Sequence, residues 1–356
     1  MKKSLPCLSA LAAVIVSAAA IAEPASELPN NSSQVPLNPL ADSQNDQVAV
    51  GDRLLMQAAS QLERRTSVSA RLRHQVAIAG QQLYGVGSYW QQGRGEELKV
   101  RLELQIAGQD AQLLQVCNSR FVWIDRTLPT GRTVSRIDLR KLRADLSLAS
   151  ANLNDIKPGE ANWSSLQSEL TAYTGGLPTL LAALGENFTF LPPQAMRLAM
   201  APPLATEPTN VPVFAVVGHW KPEKLDALLP KARTNAADPK AASRRAIPER
   251  MPEEVLLLVG QADLFPYRIE YRRLETPQIV SGDGASIPYQ LSVHPMVVLE
   301  LSDVVFDSPV AAGQFDYAPG NANLDDMTPA ILERLRQQKQ AQVATRPATD
   351  GAAPPH

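Results

Sequence analysis

Residues 97–106 read Glu-Leu-Lys-Val-Arg-Leu-Glu-Leu-Gln-Ile, and this stretch decides the fold. Glu97, Lys99, Arg101, Glu103 and Gln105 alternate with Leu98, Val100, Leu102, Leu104 and Ile106. Successive side chains of a β-strand point to opposite faces, so this period of 2 gives a strand with one wet face and one aliphatic face. Upstream, Val68–Ala79 and Leu83–Gln91 read as two further strands. Downstream, Gln112–Asn118, Arg120–Asp125 and Thr133–Asp138 follow after short polar turns. Such short spacings mean hairpins, and hairpins mean an antiparallel meander.

The flanks of the meander have another period. Ahead of it, Leu54, Leu55, Ala58, Ala59 and Leu62 recur at helical spacing, with Asp52 expected as the N-cap. Behind it, Asp138–Leu146 and Trp163–Leu184 read as helices, the second broken at Gly175-Gly176-Leu177-Pro178. Strands resume at Val211–Trp220, Glu254–Gly260, Tyr267–Leu274 and Gln290–Phe306. In the third of these, Tyr267, Ile269 and Tyr271 alternate with Arg268, Glu270 and Arg272. The fold class is therefore α+β: a curled antiparallel sheet forming an incomplete β-barrel, covered by helices. A long sheet with one aliphatic face must curl or be covered. A curled sheet with a helical plug can enclose an apolar cavity.

The ends of the chain read differently from its middle. Lys2 and Lys3 precede an apolar run from Leu5 to Ile21, and Ala20 and Ala22 supply small residues for cleavage. This is the three-part pattern of a secretory signal peptide over residues 1–22. The product is expected to be periplasmic or otherwise exported, and soluble after cleavage. No second run approaches membrane-spanning length, so no transmembrane segment is expected in the mature chain. Residues 23–49, rich in Pro, Ser, Asn and Gln, read as a disordered leader. One globular unit spans 50–320, with a helical insertion at about 138–200 and a Pro-rich loop at about 230–252. Residues 321–356 read as a short helix and a disordered tail, the latter from about Gln337.

Charge and cysteine usage narrow the function classes. Loss of Lys2 and Lys3 changes the formal charge from −2 to −4, a small and mixed balance that excludes a nucleic-acid partner. Cleavage also removes Cys7 and leaves Cys117 alone, so the mature unit has no internal disulfide and depends on an apolar core.

The usual signatures of catalysis are missing from the sequence. His74, His219, His294 and His356 include no pair at the spacing that places two ligands on one helical face, so no metal site is expected. Cys117 lies in a strand pattern with no local base and reads as a small buried hydrophobe. No Gly-x-Ser-x-Gly elbow occurs, and Gly85-Val86-Gly87 reads as strand curvature or a bulge. Asp303, Asp307, Asp316, Asp325 and Asp326 lack calcium-loop spacing. The chain is read as a non-enzyme with no cofactor.

Several of these segments, in this order, resemble the LolA-like family of periplasmic lipoprotein carriers. They are the helix at Leu54–Leu62, Gly85–Trp90, the alternating strand at Leu98–Ile106, and Ser119-Arg120-Phe121-Val122-Trp123. Val304-Val305-Phe306-Asp307-Ser308-Pro309 and Phe315-Asp316-Tyr317-Ala318-Pro319-Gly320 are similar to the family's closing element. The resemblance covers most of residues 50–320. It implies an incomplete barrel with a helical lid over an apolar cavity that holds acyl chains, with no catalytic residues. This chain is longer than a simple carrier, and none of its arginines is matched to the carriers' lid-locking arginine.

Candidate cavity-lining residues are Val100, Leu102, Leu104, Ile106, Phe121, Trp123, Tyr267, Ile269 and Tyr271. Candidate lid residues are Trp163, Leu166, Leu170, Leu180 and Leu181. An acyl chain with roughly 12 methylenes buried at about 0.8 kcal/mol each would gain about 10 kcal/mol before ordering costs, with no polar motif required. The expected function is a lipid- or lipoprotein-binding carrier of the cell envelope that transports acyl chains. Two alternatives stand beside it. One is an envelope-sensing module on the same fold with an envelope protein partner; the other is an envelope hydrolase.

Overall fold

A computed structural model describes residues 44–78, 81–151, 173–200, 206–229, 247–248, 250–275 and 292–344. The expected signal peptide, residues 23–43 of the expected leader, lid positions Trp163, Leu166 and Leu170, and most of the Pro230–Pro252 loop lie outside the described residues; residues 44–49 of that leader are helical.

Among the described residues thirteen strands form one sheet. In chain order they are β1 (Ser67–Ile78), β2 (Gln81–Gln92), β3 (Lys99–Ile106), β4 (Ala111–Asn118), β5 (Phe121–Leu128), β6 (Gly131–Asp138), β7 (Phe188–Phe190), β8 (Gln194–Met200), β9 (Thr209–Trp220), β10 (Glu254–Gly260), β11 (Pro266–Glu275), β12 (Ser292–Phe306) and β13 (Leu324–Asp326). Five α-helices accompany them among the described residues: α1 (Gln44–Arg64), α2 (Leu139–Ala151), α3 (Leu177–Asn187), α4 (Pro222–Leu228) and α5 (Thr328–Ala344).

The sheet is two antiparallel meanders joined at a seam. One wing runs β1 to β6, the other β12 back through β11, β10 and β9 to β7 and β8, and β1 pairs β12 between them. Only β13 is parallel to its neighbour, β6. The sheet is curled but does not close into a barrel. Curling is written into β2. A Cβ on Gly87 would stand 1.8 Å from the Glu103 carbonyl oxygen, so only glycine lets the backbones of β2 and β3 coil this tightly.

Several boundaries differ from expectation. The first helix starts at Gln44, not at Asp52. Asp52 lies inside it, and its Oδ1 accepts from the Phe190 backbone N–H at 2.8 Å, so it holds the end of strand β7 rather than capping a helix. The last helix continues through Ala344 into the stretch expected to be disordered. Strands β7, β8 and β13 were not legible. β7 and β13 are three residues long, below the reach of any period, and β8 alternates Ala and Arg with Met and Leu too weakly to stand out. β10 is buried at every position, where an alternation of one wet face was the rule elsewhere. It sits between β9 and β11 with apolar side chains on both faces, which its unbroken Val-Leu-Leu-Leu-Val run matches.

The register sorts the β1–β6 wing into two faces. Val68, Ala70, Leu72, His74 and Val76 of β1 lie on the face packed by helices, the inner face, and the four apolar ones belong with one large core. A second, small core of Val116, Trp123 and Val134 lies on the outer face, with Phe121, Leu114, Tyr317 and Ala322 against it. The C-terminal segment after β12 crosses this outer face. Tyr317 packs its ring 5.4 Å from Trp123 and donates its hydroxyl to Asp125 at 2.9 Å. Arg101 donates to the Gln314 carbonyl at 3.0 Å.

The outer face of the seam carries a row of charge. Glu300 pairs with Arg73 and, at 2.8 Å, with Arg268. Glu270 pairs with Arg268 and, at 2.6 Å, with Arg272, which also approaches Glu254 at 3.7 Å. The three carboxylates are buried beneath the longer, partly exposed arginine side chains.

The inner face as a candidate binding site

Antiparallel register places residues of adjacent strands in rows across the inner face. One row reads Leu72, Gly87, Leu104, Leu113, Arg126 and Thr133, from β1 to β6. The next reads Ala70, Tyr89, Leu102, Gln115, Ile124 and Ser135. A third reads Val68, Gln91, Val100, Cys117, Val122 and Ile137. Across the seam, His74 faces Leu299, which faces Ile269, which faces Leu257 and then Val216.

The residues expected to line a cavity separate on this map. Val100, Leu102, Leu104 and Ile106 share the inner face of β3 and are buried. Tyr267, Ile269 and Tyr271 share the inner face of β11 in the other wing. Phe121 and Trp123 do not join them: in β5 it is Val122 and Ile124 that point inward, and the two aromatics lie on the outer face under Tyr317. The sequence segment Phe-Val-Trp-Ile is apolar on both sides, so period alone could not assign its faces. Of the lid candidates, Leu181 is fully buried and Leu180 packs against the same core.

Helices cover this face. Leu54, Leu55, Ala58 and Leu62 of α1, and Leu177, Leu181 and Leu184 of α3, are buried in the large core. α3 begins on the sheet itself. Gly175 and Gly176 have φ of 73° and 94°, in the region that favours glycine. A Cβ on Gly176 would come within 3.2 Å of both the Tyr89 hydroxyl and Val100. The Leu177 N–H, left without an intrahelical partner at a helix start, donates to the Tyr89 hydroxyl oxygen at 3.0 Å. That hydroxyl in turn donates to Gln91 Oε1 at 2.6 Å. Burial pushes the Tyr89 phenol above its ordinary pKa, so it stays a neutral donor. These polar residues were not singled out by sequence; only the Gly-Gly stop signal pointed to their location.

Three other inner-face groups carry chemistry. Burial pushes His74 down from 6.5 to about 4, which keeps its imidazole neutral near pH 7. Cys117 is buried, burial raises its thiol pKa, and it donates weakly to the Leu98 carbonyl at 3.6 Å. Arg126 points inward beside Leu113 and is partly exposed. Among the described residues no cluster of three or more His, Cys, Asp or Glu side chains could hold a metal ion. No helix among them is long and apolar enough to cross a membrane.

No protein-family profile matches this chain, and no curated protein matches it. Solved structures similar to it include a DUF1329 family protein from Desulfovibrio piger, at 11% identity and TM-score 0.31, covering 76% of this chain and 98% of that one. A domain assigned as an outer membrane lipoprotein-sorting protein from Vibrio parahaemolyticus aligns at 10% identity and TM-score 0.29, covering 76% of this chain and 97% of its own. An uncharacterized conserved protein from Thermus thermophilus aligns at 9% identity and TM-score 0.35, covering 77% and 97%.

Proposed function

We propose that this protein is a lipid- or lipoprotein-binding carrier of the cell envelope, which holds acyl chains against the inner face of its unclosed sheet without catalysing a reaction. The observation that carries this reading is the row Leu72–Leu104–Leu113, an aliphatic track across β1 to β4 that lies in an open sheet and is covered by helices. A guest chain reaches the track when α3 swings away about Gly175 and Gly176. The movement must release Lys221, which donates to the Gly185 carbonyl at 2.6 Å and to the Asn187 carbonyl at 2.9 Å at the far end of α3. Tyr89 holds the first turn of α3, and the side chains that α3 buries are Leu177, Pro178, Leu181 and Leu184. Acyl methylenes replace the leucines of α3 at similar apolar area, so exchange of lid for guest is close to balanced. The secretory pattern of residues 1–22 supports an envelope location.

Native mass spectrometry of protein purified from its own envelope, with uptake of fluorescent acyl probes by the delipidated chain, tests the proposal. Co-purifying lipid and saturable uptake are expected. A lipid-free preparation that takes up no acyl probe would overturn it.

A further inference from the structure

Arg126 occupies an unusual place. Its register partners are Leu113 on β4 and Thr133 on β6, with Ile124 and Leu128 two residues away along its own strand. Across β1 to β6 the inner-facing positions include no carboxylate, and Arg126 is their one guanidinium. Its Nε is buried with no hydrogen-bond partner. The guanidinium is only partly exposed, and a charge that is partly withdrawn from water without a counter-charge favours binding an anion. The neighbouring hydroxyls of Thr133 and Ser135 lie across β6 on the same face, where they add neutral donors and no negative charge. Desolvation also lowers the Arg126 pKa from its ordinary value.

We propose that Arg126 is an anion-binding residue that receives the negatively charged head, carboxylate or phosphate, of an amphiphile whose chain lies along the inner face. This rests on the carrier reading above and adds the polarity and direction of the guest. From β5 to β1 the row Arg126, Leu113, Leu104, Gly87, Leu72 crosses four strand spacings of about 4.8 Å, or about 19 Å, enough to extend an acyl chain away from the head. A guanidinium fork suits a planar carboxylate or a phosphate, each of which accepts two parallel hydrogen bonds.

The test is displacement of an uncharged fluorescent acyl probe from the delipidated mature chain by dodecanoate, dodecyl phosphate and dodecanol. Wild type is expected to prefer the two anions over the alcohol by on the order of tenfold, the worth of one charge-assisted hydrogen bond. Arg126→Gln is expected to lose that preference while binding dodecanol unchanged, Arg126→Lys to keep most of it, and Arg197→Gln on the exposed edge strand β8 to keep all of it. Equal binding of the three ligands by wild type overturns the Arg126 assignment and leaves the carrier reading standing, whatever the variants do. An unchanged preference in Arg126→Gln also overturns it. Displacement by inorganic phosphate as effective as by dodecyl phosphate would overturn the amphiphile in favour of a free anion. Binding of no probe at all would overturn both readings together.

Discussion

The backbone N–H of Leu177 donates to the hydroxyl of Tyr89 at 3.0 Å, across 88 residues of chain. It is the buried hydrogen bond by which the covering helix begins on the sheet, and it satisfies a donor that the helix itself cannot. Tyr89→Phe leaves that N–H and the Gln91 amide without this partner. The substitution is expected to lower stability by about 1–3 kcal/mol. Amide exchange over Leu177–Asn187 should accelerate more than exchange in β3, which separates release of α3 from general loosening.

Gly87 tests the curl of the sheet. A methyl group there meets the Glu103 carbonyl oxygen at 1.8 Å, a backbone atom that cannot yield without breaking the β2–β3 pairing. Gly87→Ala is expected to abolish cooperative folding, visible as loss of a thermal transition. Gly108→Ala is the control: its Cβ meets nothing within 4 Å, and its φ of 72° alone should cost about 1 kcal/mol.

His74 gives the fold a dependence on acid. Its folded pKa is about 4 and its ordinary value 6.5, so the unfolded chain binds a proton that the folded chain refuses. Stability contributed by the neutral imidazole is full above pH 6.5 and is lost as pH falls toward 4, by about 3 kcal/mol in all. Urea denaturation at steps through this window should show the decline, and His74→Leu should flatten it. A decline of the same size in both proteins would place its origin elsewhere.

Glu300 is the centre of the charge row on the outer face, with Arg73 and Arg268 on either side. Glu300→Ala leaves both guanidiniums facing each other over a buried position and is expected to cost about 3 kcal/mol. Replacing Arg73, Glu300, Arg268 and Glu270 together by Met or Leu, which leaves Arg272 beside Glu254, is expected to restore most of that loss, because an apolar row removes the desolvation penalty together with the pairing. Chemical denaturation of the single and quadruple variants decides it.

The sequence made the inner face of β3 plain, because Leu98–Ile106 alternates without a fault and its partners follow at hairpin distance. It could not place Phe121 and Trp123, since their strand is apolar on both sides and the cover over its outer face comes from Tyr317, almost two hundred residues later. Asp52 was legible as a capping residue but not as the partner of Phe190 in an edge strand, a contact that exists only in three dimensions. The Gly-Gly stop signal located the start of α3, yet nothing local reveals that Tyr89, Gln91 and Gln115 wait beneath it. Arg126 looks from sequence like any arginine near a hairpin. Its isolation appears only once register shows that no acid stands among the inner-facing positions of β1 to β6.

The seam between β1 and β12 has a consequence for the order of assembly. Arg73 and Glu300 meet across 227 residues, so neither wing can be joined to the other until nearly the whole globular unit exists as free chain. Each meander closes its own hairpins quickly, whereas the seam waits for a long loop to bring its ends together. The last long strand to be synthesised therefore completes the pairing of the first. Until it does, β1 has a raw edge, and a chain delivered end-first across a membrane would spend that interval as two half-built sheets in need of protection from one another's copies.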